Sequence, residues 1–160
     1  MSGSERAAEL AARFEQTHGE ALGFAESCSG DGWDAVTSGE RWPVGVVVGH
    51  IAQGYAAVER WVCGYLEGRP VSETRDTIHA GNAEHLAETS ERSRDETIGL
   101  LRVNAASVAA TIRGLSDEQL AITFPMAVAD GAPMSAEQLV QILFRHTANH
   151  LESCRQAVAG

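Results

Sequence analysis

Two histidines four residues apart lie in a mostly apolar stretch near the carboxyl end of the chain. The segment RHTANHLESC, residues 145–154, contains His146 and His150. On an α-helix this spacing places both side chains on one face, about 6 Å apart along the axis, where two imidazoles can bind one zinc or nickel ion. The pair alone is a weak signal, because two hydrogen-bonded core histidines show the same spacing.

Cys154 continues the same helical face but is a poorer ligand. It follows His146 by about 12 Å along the axis, which is too far for one ion to bind it together with both histidines. We predict that Cys154 packs in the core. The three cysteines are widely spaced and contain no C-x-x-C pair. This pattern favours free thiols in a reducing cytoplasm over a disulfide framework or a cysteine-rich zinc site.

His50 is the candidate for a third ligand. It lies in PVGVVVGHIAQGY, and no charged residue occurs between Val44 and Val58, so this helix is predicted to be buried nearly all round. If it packs antiparallel to the last helix, His50, His146 and His150 lie at one end of the bundle. Three histidines with a position open to water or substrate form a catalytic rather than a structural type of zinc site. The competing interpretation is three core histidines.

Helical periodicity dominates the chain, and no segment alternates strictly enough to predict a strand. Four long helical segments are predicted, at about residues 4–28, 43–67, 75–113 and 135–158. The third is too long for one straight helix, and SRDE at 93–96 fits a capping box, so we expect a break before it. The long connection after Gly114 is predicted to form a lid or a pocket wall. Residues 1–160 are therefore predicted to form one all-α domain, a four-helix bundle.

The charge of the chain excludes several classes of function. All 12 cationic residues are arginines, against 22 acidic residues, which gives a net charge of −10. Without lysine there is no Schiff base, no lysine general base and no Walker-type phosphate loop. An acidic chain without a basic face is not expected to bind nucleic acid. No apolar run has membrane-spanning length and MSGSERAAEL does not resemble a signal peptide, so we expect a cytoplasmic protein without a membrane partner.

Four segments resemble a known family: WPVGVVVGHIAQGY, HAGNAEHLAE, GLSDEQL and MSAEQLVQILFRHTANHLES. They are similar to the DinB/YfiT-like superfamily, in its actinobacterial branch near the N-terminal domain of mycothiol-dependent maleylpyruvate isomerase. The resemblance covers nearly the whole chain and implies a DinB-like four-helix bundle in up-down-down-up order. It also implies a metal bound by one histidine of the second helix and the H-x-x-x-H pair of the fourth, here His50, His146 and His150.

The resemblance implies a function as well. Characterised members are mainly thiol-dependent enzymes that use mycothiol, bacillithiol or glutathione. The lysine-free, alanine-rich composition agrees with an actinobacterial source, where mycothiol is the low-molecular-weight thiol. We therefore predict a metal-dependent mycothiol-type transferase or isomerase that acts on a small electrophile, with zinc or nickel as its divalent ion. A metal-dependent hydrolase of a small molecule and a metal- or ligand-binding bundle without turnover are the alternatives.

The implied helix order places the start of the third helix at the same end as His50. Asn82, His79 and His85 are therefore candidates for binding substrate or supporting the ligands, and Asn82 is the strongest of them. The alternative for His79 and His85 is solvent exposure on a polar helical face. Tyr55 follows His50 by about one turn and is a further candidate for the pocket wall. The apolar second helix predicts a homodimer if part of it remains exposed.

Overall fold

The computed structural model describes residues 3–160, so the first two residues of the predicted 1–160 domain lie outside the described range. It is mostly helical, as predicted: the first, second and fourth predicted segments each form one long helix, and the third is divided into two helices. The helices are α1 Glu5–Ser27, α2 Gly30–Asp34, α3 Val44–Leu66, α4 Arg75–Thr89, α5 Arg94–Arg113, α6 Asp117–Leu120 and α7 Ala136–Ala159. The strands are β1 Thr123–Met126 and β2 Ala132–Ser135, separated by a 3-10 turn at Ala127–Ala129.

The helix α3 is the centre of the bundle. It packs against α5 and α7, and α1 packs against the same two helices from the other side, which closes the ring of four. Most of its apolar side chains are buried, among them Val44, Val47, Ile51 and Tyr55. The prediction of a helix buried nearly all round is therefore confirmed. Although α3 is apolar, no helix within residues 3–160 is long and apolar enough to cross a membrane.

Side-chain caps begin the helices where the sequence predicts them. The Ser4 hydroxyl accepts a hydrogen bond from the Ala7 amide at 3.1 Å. Capping boxes join Ser93 to Glu96 and Ser135 to Gln138. Each cap satisfies amide groups that the first helical turn leaves unpaired. The capping box at Ser93 also explains the break in the third segment, because it starts α5 independently of α4.

The helix α4 lies along the outside of α3. At its start, Arg75 Nη2 donates to Asp130 Oδ2 of the hairpin region at 3.0 Å. Near its end, His85 Nε2 donates to the Val46 carbonyl in the first turn of α3 at 3.2 Å. The buried residues of α4 are His85 and Thr89, so this helix is attached to α3 mainly at its last turns.

The connection after Gly114, predicted to form a lid or a pocket wall, does neither at the histidines. It contains α6 and an antiparallel hairpin in which Thr123 pairs with Ser135. The hairpin packs at Tyr65, whose ring lies 4.9 Å from that of Phe124. Tyr65 follows His50 by about 22 Å along α3, so the hairpin lies at the opposite end of that helix. Its four-residue strands, each containing a proline, are too short for alternation to reveal them.

Candidate metal site

The structure brings His50 of α3 together with His146 and His150 of α7. The ring centroids lie 4.9 Å apart for His50 and His146, 4.8 Å for His50 and His150, and 4.4 Å for His146 and His150. One nitrogen of each ring lies within 4.8 Å of the other two. No further histidine, cysteine or carboxylate ligand atom of residues 3–160 joins this cluster. The juxtaposition is the one that spacing and burial predicted.

The positions and protonation of the rings fit a divalent ion. His50 Nε2 and His146 Nε2 are 3.1 Å apart, and two nitrogens bound to one tetrahedral zinc are separated by about 3.3 Å. Burial and the neighbouring imidazoles lower the pKa of His50 to about 3 and that of His146 to about 4. Both rings are therefore neutral near pH 7 and can offer a lone pair. Imidazole donors suit zinc, nickel and related ions.

Two glycines of α3 allow its neighbours to approach closely at this site. A Cβ atom on Gly54 would lie 2.7 Å from Cε1 of His146, so this ring packs directly against the backbone. A Cβ atom on Gly49 would lie 2.8 Å from Cγ2 of Thr89 in α4. His50 lies between these two glycines in the sequence. The histidine cluster and the end of α4 therefore meet at the same stretch of α3.

Sequence reasoning missed Glu40, which lies in the loop before α3. Its Oε1 accepts a hydrogen bond from His150 Nδ1 at 2.6 Å, and its Oε2 accepts one from Ser153 Oγ at 2.6 Å. Burial alone raises the pKa of Glu40, but the hydrogen bonds from Ser153 and His150 outweigh it and lower the pKa to about 2. Glu40 is thus a carboxylate at neutral pH. A single glutamate in a loop carries no periodic signal that could have identified it.

Trp42 lies in the same loop as Glu40 and packs on the cluster from another side. Its ring centroid lies 5.4 Å from that of His50 and 6.0 Å from that of His85. Thr37 holds the loop by donating its amide proton to the Trp42 carbonyl at 2.9 Å. The partly buried ring of Trp42 also packs against the hydrophobic core.

His85 is buried beside the cluster, so the alternative of solvent exposure is wrong for this residue. Its side chain is 2% exposed and its ring centroid lies 5.5 Å from that of His50. Both ring nitrogens have partners within the chain: Nε2 donates to the Val46 carbonyl, and Nδ1 accepts from Thr89 Oγ1 at 3.0 Å. His85 therefore attaches α4 to α3 next to the cluster.

The other candidates for substrate binding or ligand support lie farther from the cluster. His79 is exposed, because its offset of six residues from His85 places it on the outer face of α4. Tyr55 is fully buried against Phe14 and His18, at centroid distances of 4.9 and 5.7 Å, on a face of α3 turned away from His50. The predicted roles of His79 and Tyr55 are therefore not supported by their positions.

The positions of Asn82 and Cys154 agree better with the predictions than those of His79 and Tyr55 do. Asn82 is partly buried on the same side of α4 as His85, and no hydrogen bond within residues 3–160 joins it to a histidine of the cluster. Cys154 is fully buried in the core and does not join the cluster, as predicted. All three cysteines are free in the structure.

Two solved structures share the fold of this chain. One is YfiT from Bacillus subtilis, described as a probable metal-dependent hydrolase with an unusual four-helix bundle topology; the TM-score is 0.77 at 17% identity, over 98% of this chain and 89% of that one. The other is an uncharacterised protein from Clostridium difficile 630, with a TM-score of 0.73 at 16% identity, over 96% of this chain and 95% of that one. These likenesses establish the four-helix bundle fold.

At the level of sequence, no curated protein matches this chain. The family comparison matches residues 13–154 to the DinB superfamily, and this range contains all three histidines of the cluster. The match covers most of the 160 residues and therefore identifies the family. This chain belongs to the DinB superfamily.

Proposed function

We propose that this chain is a metal-dependent enzyme that acts on a small molecule, with His50, His146 and His150 as the ligands of a divalent ion such as zinc or nickel. The observation that carries the proposal is the convergence of three partly buried imidazoles with no fourth protein ligand among residues 3–160. Catalytic sites have this composition, whereas structural zinc sites close with a fourth protein ligand.

The proposed reaction is the transfer or isomerisation of a small electrophile with a thiol cosubstrate of the mycothiol type. A divalent ion supplies Lewis acidity, which lowers the pKa of a bound thiol or water. The lysine-free composition and the resemblance to thiol-dependent members of the superfamily support a thiol over water.

The cysteines of the chain are badly placed to serve as the nucleophile themselves. Cys28 and Cys154 are buried, and burial raises the pKa of both thiols, that of Cys154 to about 12. Cys63 follows His50 by about 20 Å along α3. Burial and nearby glutamates raise its pKa as well. A reactive thiol at the site must therefore come from a cosubstrate.

A metal-dependent hydrolase is the second candidate. The observation in its favour is the similarity to YfiT, which is described as a probable metal-dependent hydrolase and shares the fold over nearly the whole chain. In that reaction the same histidines would hold the ion and water would replace the thiol as nucleophile.

An activity screen separates these functions. The tag-free protein, loaded with zinc or nickel, is assayed with mycothiol and a panel of small electrophiles, and in parallel with ester and amide substrates without thiol. Turnover that requires both metal and thiol is expected, with His146→Ala inactive and the exposed His79→Ala fully active. Turnover that requires metal but no thiol would contradict the transferase and support the hydrolase. Metal binding without turnover in either assay would contradict an enzymatic function and leave a binding module.

A further inference from the structure

Glu40 contacts the α7 face that carries the candidate ligands at two points. The hydrogen bonds from His150 Nδ1 and Ser153 Oγ are both 2.6 Å long and reach different carboxylate oxygens. Ser153 lies one turn after His150, so both donors project from the same side of α7. The side chains of His150 and Glu40 are only 20% and 15% exposed, so water competes weakly for this pair. The contact is therefore a partly buried pair rather than an exposed surface ion pair.

We propose that Glu40 is a positioning residue that fixes the tautomer and the ring orientation of His150 for metal binding. A neutral imidazole carries one N–H group. When Nδ1 donates that proton to Glu40, the lone pair must lie on Nε2, which is then available for an ion. This inference rests on the proposed metal site and extends it to a residue outside the three ligands.

The geometry separates this role from two others. Glu40 does not supply a ligand atom to the cluster formed by His50, His146 and His150. Both of its oxygens also accept short hydrogen bonds from α7, which stabilise the carboxylate and make it a weaker general base. The second bond, from Ser153, restricts rotation of the carboxylate and so holds the first oxygen against His150.

The charge of Glu40 adds to the effect of its hydrogen bonds. Imidazole ligands bring no negative charge to a divalent ion in a partly buried site, and a carboxylate next to one ligand offsets part of the charge of the ion. A carboxylate behind a ligating histidine also makes the imidazole a stronger donor. Removing such a partner typically weakens metal binding by about 10- to 100-fold.

The test measures zinc affinity of the tag-free protein by competition with a chromophoric chelator. We expect Glu40→Ala to weaken zinc binding by about 10- to 100-fold. Glu40→Gln should weaken zinc binding less, because the amide oxygen of glutamine still accepts the hydrogen bond from Nδ1 although the charge is lost. Ser153→Ala should show the smallest effect of the three. The matched control is Glu73→Gln, since Glu73 is also a partly buried loop carboxylate and accepts from Trp61 Nε1 at 2.8 Å, and it should keep the parent affinity.

A second readout reports the tautomer without any metal. Long-range proton–nitrogen NMR spectra of the metal-free parent should show His150 with its proton on Nδ1, and Glu40→Ala should lose this preference. A parent His150 protonated on Nε2, or Glu40→Ala with zinc affinity within about twofold of the parent, would overturn the role of Glu40. If the parent binds no zinc at all, the proposed metal site fails instead. Circular dichroism identifies any variant that does not fold, and Ser153→Ala and Glu40→Gln then carry the affinity test.

Discussion

At the residue scale, the approach of α7 to α3 depends on a missing side chain at Gly54. A Cβ atom at this position would overlap the His146 ring, at 2.7 Å from Cε1 and 2.9 Å from Nδ1. Separations under about 3.0 Å force one of the two groups to move. The ring cannot retreat freely, because its other side faces His50 and His150. Gly54 therefore helps to set the spacing between the two helices at the site.

Replacing Gly54 with alanine should displace the His146 ring and weaken zinc binding by about tenfold or more, as loss of ligand support does in other sites. Overpacking costs about 1–3 kcal/mol, partly offset by the higher helix propensity of alanine, so the variant should still fold. The measurement is zinc affinity, with thermal unfolding of the metal-free protein as the check on folding. Gly81→Ala is the control, because a Cβ atom at Gly81 has no neighbour within 4 Å. A Gly54→Ala variant that binds zinc with the affinity of the parent would contradict the role of Gly54 in setting the helix spacing.

At the element scale, α4 buries fewer residues than any other helix of ten or more residues within the described range 3–160. Its buried residues are His85 and Thr89, and the rest of its surface is largely exposed. The hydrogen bonds of His85 to the Val46 carbonyl and to Thr89 Oγ1 therefore hold the end of α4 beside the histidine cluster.

Replacing His85 with alanine should loosen α4 selectively. The change removes both hydrogen bonds and leaves the Val46 carbonyl and the Thr89 hydroxyl without these partners, at a cost of about 1–3 kcal/mol for each buried group. Hydrogen–deuterium exchange should become faster at residues 75–89 while α1, α5 and α7 keep their protection. The control is His79→Ala in the exposed part of the same helix, which should leave exchange unchanged. Equal exchange of α4 in the parent and in the His85 variant would contradict its role as an attachment point.

The elements also show which features of the fold could be predicted from the sequence. The long helices and their serine caps were predictable because periodicity and capping boxes are local patterns, as at Ser93 and Ser135. The hairpin was not, because its strands are only four residues long. The burial of His85 was also missed, because the α4 sequence alone has weak amphipathicity and does not show which side meets α3.

At the scale of the whole molecule, the candidate site was also only partly predictable from the sequence. His50, His146 and His150 were predictable because each stands in an apolar helical stretch where a core residue is expected. Glu40 was not, because a loop residue reaches His150 only through the path of residues 35–43 between two helices. The predicted homodimer depended on exposed apolar surface of α3, and within that helix Leu66, at 37%, is the large apolar side chain that is exposed. The exposed apolar surface of α3 is therefore too small to support the homodimer, which stays a prediction.

The most direct test of the metal site is the metal content of the tag-free protein after zinc loading and dialysis, measured by elemental analysis. The parent should retain about one zinc per chain, as expected of one three-histidine site. His50→Ala, His146→Ala and His150→Ala should each lose most of it, while Cys154→Ala, which changes a buried residue outside the cluster, should retain it. The metal site would be contradicted if the parent bound no zinc, or if the three histidine variants retained as much zinc as the parent. In either case the three residues would be core histidines.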